Sequence, residues 1–343
     1  MRTLKRGMAA LLLTSALAAC NAASDEAEGP VCDRACLIKL TQDYVAGIEG
    51  NSAAGVTFSD EAVIVENLKR IKAGEGLWKD VTGKGTDFGV IVPDEARETA
   101  GWIGMVERDG KPTVVAIRLK LDPKGSIVEA EHLYADIDSD TPLGKSQLAN
   151  LQTVRPGLLA DVPEANRMSE DALIALGASY YDALDDNDGT LMPFAADCER
   201  HENGMVTAGG NAGPGPNGPQ PHPVARDCAG QLTSGVFQYI DKIENRRVFA
   251  ADPQTGLVMG LSHFRHPMNF PPYEVIAQDG TKLSYDRDEE MKFDPFDLPA
   301  AHVFKVGPDG KVHEIEAMGF RAALNSPTGW ENGVAPTSPN AEQ

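Results

Sequence analysis

Tyr44-Val-Ala-Gly-Ile-Glu-Gly-Asn-Ser-Ala-Ala-Gly-Val-Thr-Phe-Ser-Asp-Glu-Ala-Val-Ile-Val-Glu-Asn67 decides how the chain is read, because the chain uses this stretch twice. Moved 136 positions along without a gap, Tyr44 falls on Tyr180, Asn51 on Asn187, Phe58 on Phe194, Glu66 on Glu202 and Asn67 on Asn203. A second echo sets Leu121-Asp-Pro-Lys-Gly-Ser-Ile-Val-Glu-Ala-Glu131 against Val306-Gly-Pro-Asp-Gly-Lys-Val-His-Glu-Ile-Glu316. There Pro123, Gly125, Glu129 and Glu131 meet Pro308, Gly310, Glu314 and Glu316 at an offset of 185. The later copy therefore carries about 49 additional residues between the two echoes. Two related halves, the second enlarged, is the organisation this implies.

Each copy opens on a helix. Leu37, Ile38, Leu40, Tyr44, Val45 and Ile48 form one broad face at helical spacing, ended by Gly50-Asn51. In the second half Ser169 with Asp171 caps a helix carrying Leu173, Ile174, Leu176, Tyr180, Tyr181 and Leu184. Strands follow: one around Val63 and Val65, then 101–107, 113–121 and 126–133, repeated at 247–250, 257–263, 302–306 and 311–318. A helix followed by a hairpin-rich antiparallel sheet is an α+β plan. The expected divisions are a signal peptide at 1–19, a tether at 20–31, a first domain at 32–135, a connection at 136–165, a second domain at 166–322 with insertions at 205–230 and 267–299, and a disordered tail at 323–343.

The first twenty residues carry an address. A basic head (Arg2, Lys5, Arg6) precedes an apolar run from Met8 to Leu17 that is too short to span a bilayer, and Leu17-Ala-Ala-Cys20 follows. This end resembles the lipobox of bacterial lipoproteins, in which Cys20 becomes the acylated first residue. An ordinary cleaved signal with an incidental cysteine is the alternative. The expected location is outside the cytoplasm, lipid-anchored to the bacterial cell envelope and facing the periplasm.

Formal net charge is −20, and loss of the signal with its three cations takes it to −23. Such a chain repels phosphate backbones, so no nucleic-acid partner is expected. Cys32, Cys36, Cys198 and Cys228 remain beside Cys20, and three pairings are possible. Cys198 with Cys228 is favoured, because it ties down a glycine- and proline-rich segment that cannot build its own core. Cys32 and Cys36 then pair by elimination. Zinc is the rival, but C-x-x-x-C with a distant pair is poor ligand spacing, and no metal is expected.

Cys32-Asp-Arg-Ala-Cys-Leu37, Trp78, Asp197-Cys-Glu-Arg-His-Glu-Asn-Gly204, Cys228 with Gln231, and Arg247 with His263-Phe-Arg-His-Pro267 together resemble an uncharacterised family of secreted fungal and bacterial proteins. That family is similar to the nuclear transport factor 2-like superfamily, which includes SnoaL-like polyketide cyclases, ketosteroid isomerase and scytalone dehydratase. The resemblance implies a cone-shaped curved sheet closed by N-terminal helices, present twice, with a pocket inside. It implies metal-free lyase, isomerase, dehydratase or hydrolase chemistry, or ligand binding alone. No catalytic residue of a characterised member maps onto this chain.

The second half holds the candidate residues. On an extended strand Asp197, Glu199 and His201 share one face, and Cys198, Arg200 and Glu202 share the other. If the disulfide marks the packed side, Arg200 and Glu202 lie there, as site residues or as an ion pair closing the fold. His263 and Arg265 share one face of a later strand, and Phe264 and His266 the other. His263 and His201 are the expected bases, with Arg265, Arg200 and Tyr180 as electrostatic partners. A hydrogen-bonded structural histidine is the commoner outcome for such residues. Tyr181 and Tyr239 could also donate to an oxyanion, and Glu129, Glu131, Glu314 and Glu316 are expected on outward strand faces. No nucleophile elbow, P-loop or dinucleotide fingerprint is present, and no cofactor is expected. The expected activity is lyase or isomerase chemistry on a small, largely apolar molecule of aromatic or polyketide-like kind. A passive binding module is the rival, as is a scaffold in which the two sheets pair within the chain or between copies in a homodimer.

Overall fold

The computed structural model describes residues 31–209, 227–289 and 292–331. The expected signal peptide, Cys20, most of the tether, the glycine-rich stretch 210–226 and residues beyond 331 lie outside the described residues.

Helix α1 (Arg34–Glu49) starts where the Asp33 carboxylate accepts a hydrogen bond from the Cys36 amide at 2.8 Å, and it buries Leu37, Thr41, Tyr44 and Ile48 along one stripe. Strands β1 (Phe58–Glu66) and β2 (Lys69–Ile71) form a hairpin, and the single turn α2 (Leu77–Asp80) follows. An antiparallel meander then runs through β3 (Val81–Asp94), β4 (Thr99–Arg108), β5 (Lys111–Leu121) and β6 (Ile127–Asp136). The meander returns β6 to lie parallel to β1, giving a six-stranded sheet of order β2-β1-β6-β5-β4-β3.

Helices α3 (Pro142–Asn150) and α4 (Pro156–Leu159) occupy the stretch expected to be plain connection. Helix α5 (Glu170–Asp185) is capped by Ser169, with Glu170 and Asp171 in its first turn, where the helix dipole favours negative charge. Next come β7 (Phe194–Glu202), β8 (Met205–Ala208), α6 (Cys228–Thr233), β9 (Lys242–Asp252) and β10 (Leu257–His266). The small hairpin of β11 (Tyr273–Ile276) and β12 (Lys282–Tyr285) precedes β13 (Phe296–Val306), β14 (Val312–Gly319) and β15 (Ala322–Ala323). The second sheet has the order β8-β7-β14-β13-β10-β9, with β7 parallel to β14 and β15 beside β13. Mixed α+β architecture with two large sheets and few helices is the result.

Local chemistry recurs at the parallel strand ends. Asn67, at φ 39°, donates to the Tyr134 carbonyl at 3.1 Å and accepts from the Tyr134 amide at 2.9 Å. Asn203, at φ 47°, makes the same pair with Gly319 at 2.9 and 3.0 Å. Asparagine tolerates the left-handed backbone and supplies the donor and acceptor that pin the turn to the neighbouring strand.

Several elements depart from the pattern. β3 is missing from the strands read in the sequence, because Gly83, Gly85, Gly89 and Pro93 break its alternation. Gly85 sits at a bulge where a Cβ would lie 2.5 Å from the Met105 backbone. β13 begins at Phe296, inside the expected insertion. The expected tail from 323 is structured at its start: Ser326 bonds Asp297, Arg70 donates to the Gly329 carbonyl at 2.9 Å, and Trp330 is buried.

The sheets pack face to face. Phe88, Val90, Ile103, Met105, Val114 and Leu133 of the first meet Phe249, Leu257, Met259, Leu261, Val303 and Met318 of the second in one buried cluster. α1 and α5 cover the opposite faces, and Gly177 lets α5 approach, since a Cβ there would lie 2.9 Å from Val258. This packing corrects the expectation that Glu129, Glu131, Glu314 and Glu316 face outward into water. Their faces do turn away from the helices, but Glu129, Glu131 and Glu316 are buried there. Arg247 of β9 reaches across to Glu131 of β6, donating to one carboxylate oxygen at 2.8 Å and bonding the other, while Arg118 pairs with Glu129. Burial opposes the charge on Glu131, but Arg247 and Arg118 outweigh it and hold the carboxyl below the ordinary range.

Removing one member of a buried pair leaves an uncompensated charge. Glu131→Ala should therefore cost roughly 3–5 kcal/mol in urea denaturation, and Glu131→Met with Arg247→Met should recover most of it.

Candidate functional site

A cavity lies between α5 and the second sheet. It is lined by Tyr180 and Leu184 of α5, Arg200 and Glu202 of β7, Phe264 and His266 of β10, Leu298, Ala300 and His302 of β13, and Ala317 and Met318 of β14. Phe237, Tyr239 and Ile240, from the segment after α6, complete the lining. Its volume is about 70 Å³. That is several times the ~10–15 Å³ that admits one water.

Strand alternation builds this wall. Cys198, bonded to Cys228, marks the face of β7 that packs under α5, and Arg200 and Glu202 follow at two-residue steps on that face. His302 and Ala317 are direct partners on β13 and β14, so imidazole and methyl stand side by side. The first half has the reverse arrangement. There Ile117 of β5 is paired with His132 of β6, and the offset of 185 carries these two onto His302 and Ala317. Likewise Ile64 of β1 corresponds to Arg200 of β7 at the offset of 136.

In the first half, His132 fills the space. Its Nε2 is 2.8 Å from the Tyr44 hydroxyl and its Nδ1 is 3.0 Å from Glu66, which also accepts from the Leu77 amide at 3.0 Å. Trp78, brought in by α2 and 1% exposed, packs within 5.3 Å of both the Tyr44 and His132 rings and 6.2 Å from Phe58. In the second half Ala317 leaves that volume open.

Electrostatics in the cavity centre on Arg200. The residue is 7% exposed, and among the described residues no carboxylate lies within 4.0 Å of its guanidinium. Its Nε donates to the Thr207 hydroxyl at 2.8 Å, its Nη1 donates to the Tyr180 hydroxyl oxygen at 3.2 Å, and the Phe237 ring centre is 5.4 Å away. The closing ion pair with Glu202 is therefore not made at contact distance. Burial pushes the Tyr180 hydroxyl up, with Arg200 opposing, and burial followed by Glu202 pushes Tyr239 up, so both remain protonated donors. His302, with Nδ1 3.3 Å from the Tyr181 hydroxyl, is held down to about 3 by burial and then by Arg200. His266, stacked on Phe296 at 4.3 Å, is held down to about 4, chiefly by burial. Both imidazoles are neutral at pH 7.

Of the sequence candidates, Arg200 and Tyr180 come together at the cavity. His201, His263 and Arg265 do not line it. His201 lies on the opposite face of β7, paired with Glu199 and lowered by burial and Arg155. His263 is buried beside Asp297, Ser326 and Arg265 at 3.4, 3.2 and 3.2 Å, and Arg265 also holds Glu244 at 2.8 Å. Glu202 was legible from its share of the Cys198 face, His266 lies on the strand face that was not chosen, and His302 was missed. Its signal was an imidazole at the position where the first half has Ile117. Among the described residues, no three His, Cys, Asp or Glu side chains are grouped as metal ligands would be.

Acidification separates the buried histidines from a buried acid on the other face of the sheet. Glu316 is raised to about 7 by burial, with Glu314 and Glu199 adding and Arg155 opposing. The unfolded chain protonates its histidines near 6.5 while His266 and His302 stay neutral, so their contribution is present above 6.5 and lost as pH falls through about 4 and about 3. For His266 this is on the order of 3 kcal/mol. Glu316 has the opposite sign: its contribution is full below 4.5 and lost as pH rises through about 7. In Glu316→Gln the fall in melting temperature between pH 7 and 4 should steepen, and in His302→Gln it should flatten.

Residues 166–319 match a family described as a domain of unknown function (DUF8021), a span that takes in α5 and the second sheet through β14. No curated protein matches the chain. A solved structure, a ketosteroid isomerase-like protein from Erwinia carotovora atroseptica SCRI1043, is similar at 12% identity over 44% of this chain and 95% of that one, with a TM-score of 0.22. A superposition that loose says nothing about the chemistry of this site.

Proposed function

We propose that the chain is an exported, lipid-anchored protein whose two halves derive from one nuclear transport factor 2-like module, and that the second half is an acid–base enzyme of lyase or isomerase type. Export is supported by the signal-like first residues ending in Cys20 and by the Cys32–Cys36 and Cys198–Cys228 disulfides, which persist in oxidising compartments. No helix among the described residues is long and apolar enough to cross a membrane. Common descent of the halves is supported by their shared strand order, the parallel pairs β1/β6 and β7/β14, and the Asn67 and Asn203 clamps.

The observation that carries the catalytic reading is the cavity itself, where a carboxylate, two protonated tyrosines and a buried guanidinium converge. Glu202 is assigned the part of the base on geometry, as the carboxylate among the described residues that line the cavity. The Glu202 carboxylate removes a proton from a carbon beside a carbonyl, and the electron pair moves onto the carbonyl oxygen. That oxygen is received by the Tyr180 and Tyr239 hydroxyls, with Arg200 polarising Tyr180 through their 3.2 Å contact. The protonated Glu202 then returns the proton to another carbon, completing an isomerisation, or to a departing hydroxyl, completing a dehydration.

Incubation with small aryl and enoyl ketones and acids in D2O, followed by proton NMR, tests this reading. Enzyme-dependent loss of a C–H signal is expected for part of the panel, with at least a ~100-fold reduction in Glu202→Gln. Compounds that bind the cavity without exchange would leave a binding protein and end the catalytic reading.

A further inference from the structure

A guanidinium in a nearly closed interior is normally matched by a carboxylate, and this chain follows that rule elsewhere. Arg118, Arg155 and Arg247 each contact a buried or half-buried glutamate, and Arg265 contacts buried Asp297. Arg200 is equally buried, yet the contacts its guanidinium makes among the described residues are with neutral hydroxyls and an aromatic ring. Among the described residues, two of its five N–H groups are used, by Thr207 and Tyr180, leaving three. Those three belong to a side chain that lines the cavity, and the terminal nitrogens present the edge that suits a planar, two-oxygen acceptor.

We propose that Arg200 is the anchor for a substrate carboxylate, so that the ligand of this cavity is a small organic acid with a flat unsaturated body. This rests on the acid–base reading above for the fate of the ligand, but its binding stands separately. The acid's two oxygens take the free N–H groups of Arg200. Tyr180, which accepts from Arg200, keeps its own proton for a ligand oxygen. Phe237, Phe264, Leu184 and Leu298 supply an apolar wall for an aryl or enoyl body, and Ala317 supplies the room. Glu202, on the same strand face and beyond contact distance of Arg200, faces the ligand two residues further along β7. A carboxylate there pushes on a bound anion, and that repulsion is relieved once Glu202 takes up a proton.

Titration calorimetry of the whole mature chain with benzoate and trans-cinnamate, against benzamide and trans-cinnamamide, is the test. The acids should bind with one site, and the amides should bind at least roughly tenfold more weakly, the loss expected for one charge-assisted contact. Arg200→Gln should remove the preference for acid over amide, Arg200→Lys should keep part of it, and Glu202→Gln should tighten the acids by roughly threefold or more. If Arg200→Gln does not fold, the acid–amide comparison in the unaltered protein decides alone. Amides binding as well as acids, or no acid binding at about 10 mM, overturns the proposal. An acid that binds through Arg200 but shows no deuterium exchange sinks the enzyme reading alone, and a neutral ketone that exchanges while acids fail to bind sinks the anchor alone.

Discussion

The contact on which this structure depends is the face-to-face packing of its two sheets, sealed by Arg247 on Glu131. Each sheet spends one face on the other, and the glutamates caught there are tolerable only because Arg118, Arg155 and Arg247 reach them. Water and ligand are thereby kept from the middle of the molecule. The cavity described above lies on one of the remaining faces, under α5.

Under α1 that space is filled, and under α5 it is not. The difference comes down to a few positions that correspond by simple offsets. His132 projects from β6 into a hydrogen-bonded chain with Tyr44 and Glu66, and Trp78 packs over it. At the matching place β14 has Ala317, while the imidazole has moved to the adjacent strand as His302. Arg200 in place of Ile64 then puts a charge where the first half has hydrocarbon. Opening a void in a core normally costs stability in proportion to its volume, and burying a polar group without a partner costs more. Both costs fall on the same side of the same half, which is the observation behind the ligand site proposed above.

Much of this was legible in the chain, and the reason differs by residue. The repeat drew attention to Asn67 and Asn203, whose side chains hold one particular turn, but the expected antiparallel sheet did not foresee the parallel pairs β1/β6 and β7/β14 that those turns close. Cys198 served as a marker of the inner face on β7, so that alternation alone placed Arg200 and Glu202 correctly. β10 carries no such marker: alternation separates His263 and Arg265 from Phe264 and His266 but does not say which pair faces the cavity, and the polar pair proved to be held by Asp297. The glutamates of β6 and β14 look solvated in sequence because the arginines that neutralise them come from other elements, two from across the sheet-to-sheet contact or the connection. β3 stayed hidden because its glycines serve bulges that only its partner strand explains.

The remaining tension is that Arg200 is both deeply placed and short of charge. Glu202 acts on it through space, and Tyr180 and Thr207 satisfy part of its hydrogen-bonding capacity, but neither hydroxyl supplies an anion. A guanidinium cannot lose its proton as a lysine or histidine would, and Tyr180 and Glu202 favour its charge against the cost of burial, so an anionic ligand would meet a permanent cation. Binding of an anion then adds charge-assisted contacts, and whatever binds the folded form alone also stabilises it. The two neutral imidazoles fit the same logic: at positions 266 and 302 a second and third cation would compete with Arg200 for the one incoming charge, and the surrounding apolar walls keep both rings uncharged at neutral pH. What sets the second half apart from the first is thus a single fixed positive charge at a cavity wall, with one carboxylate two residues along the same strand.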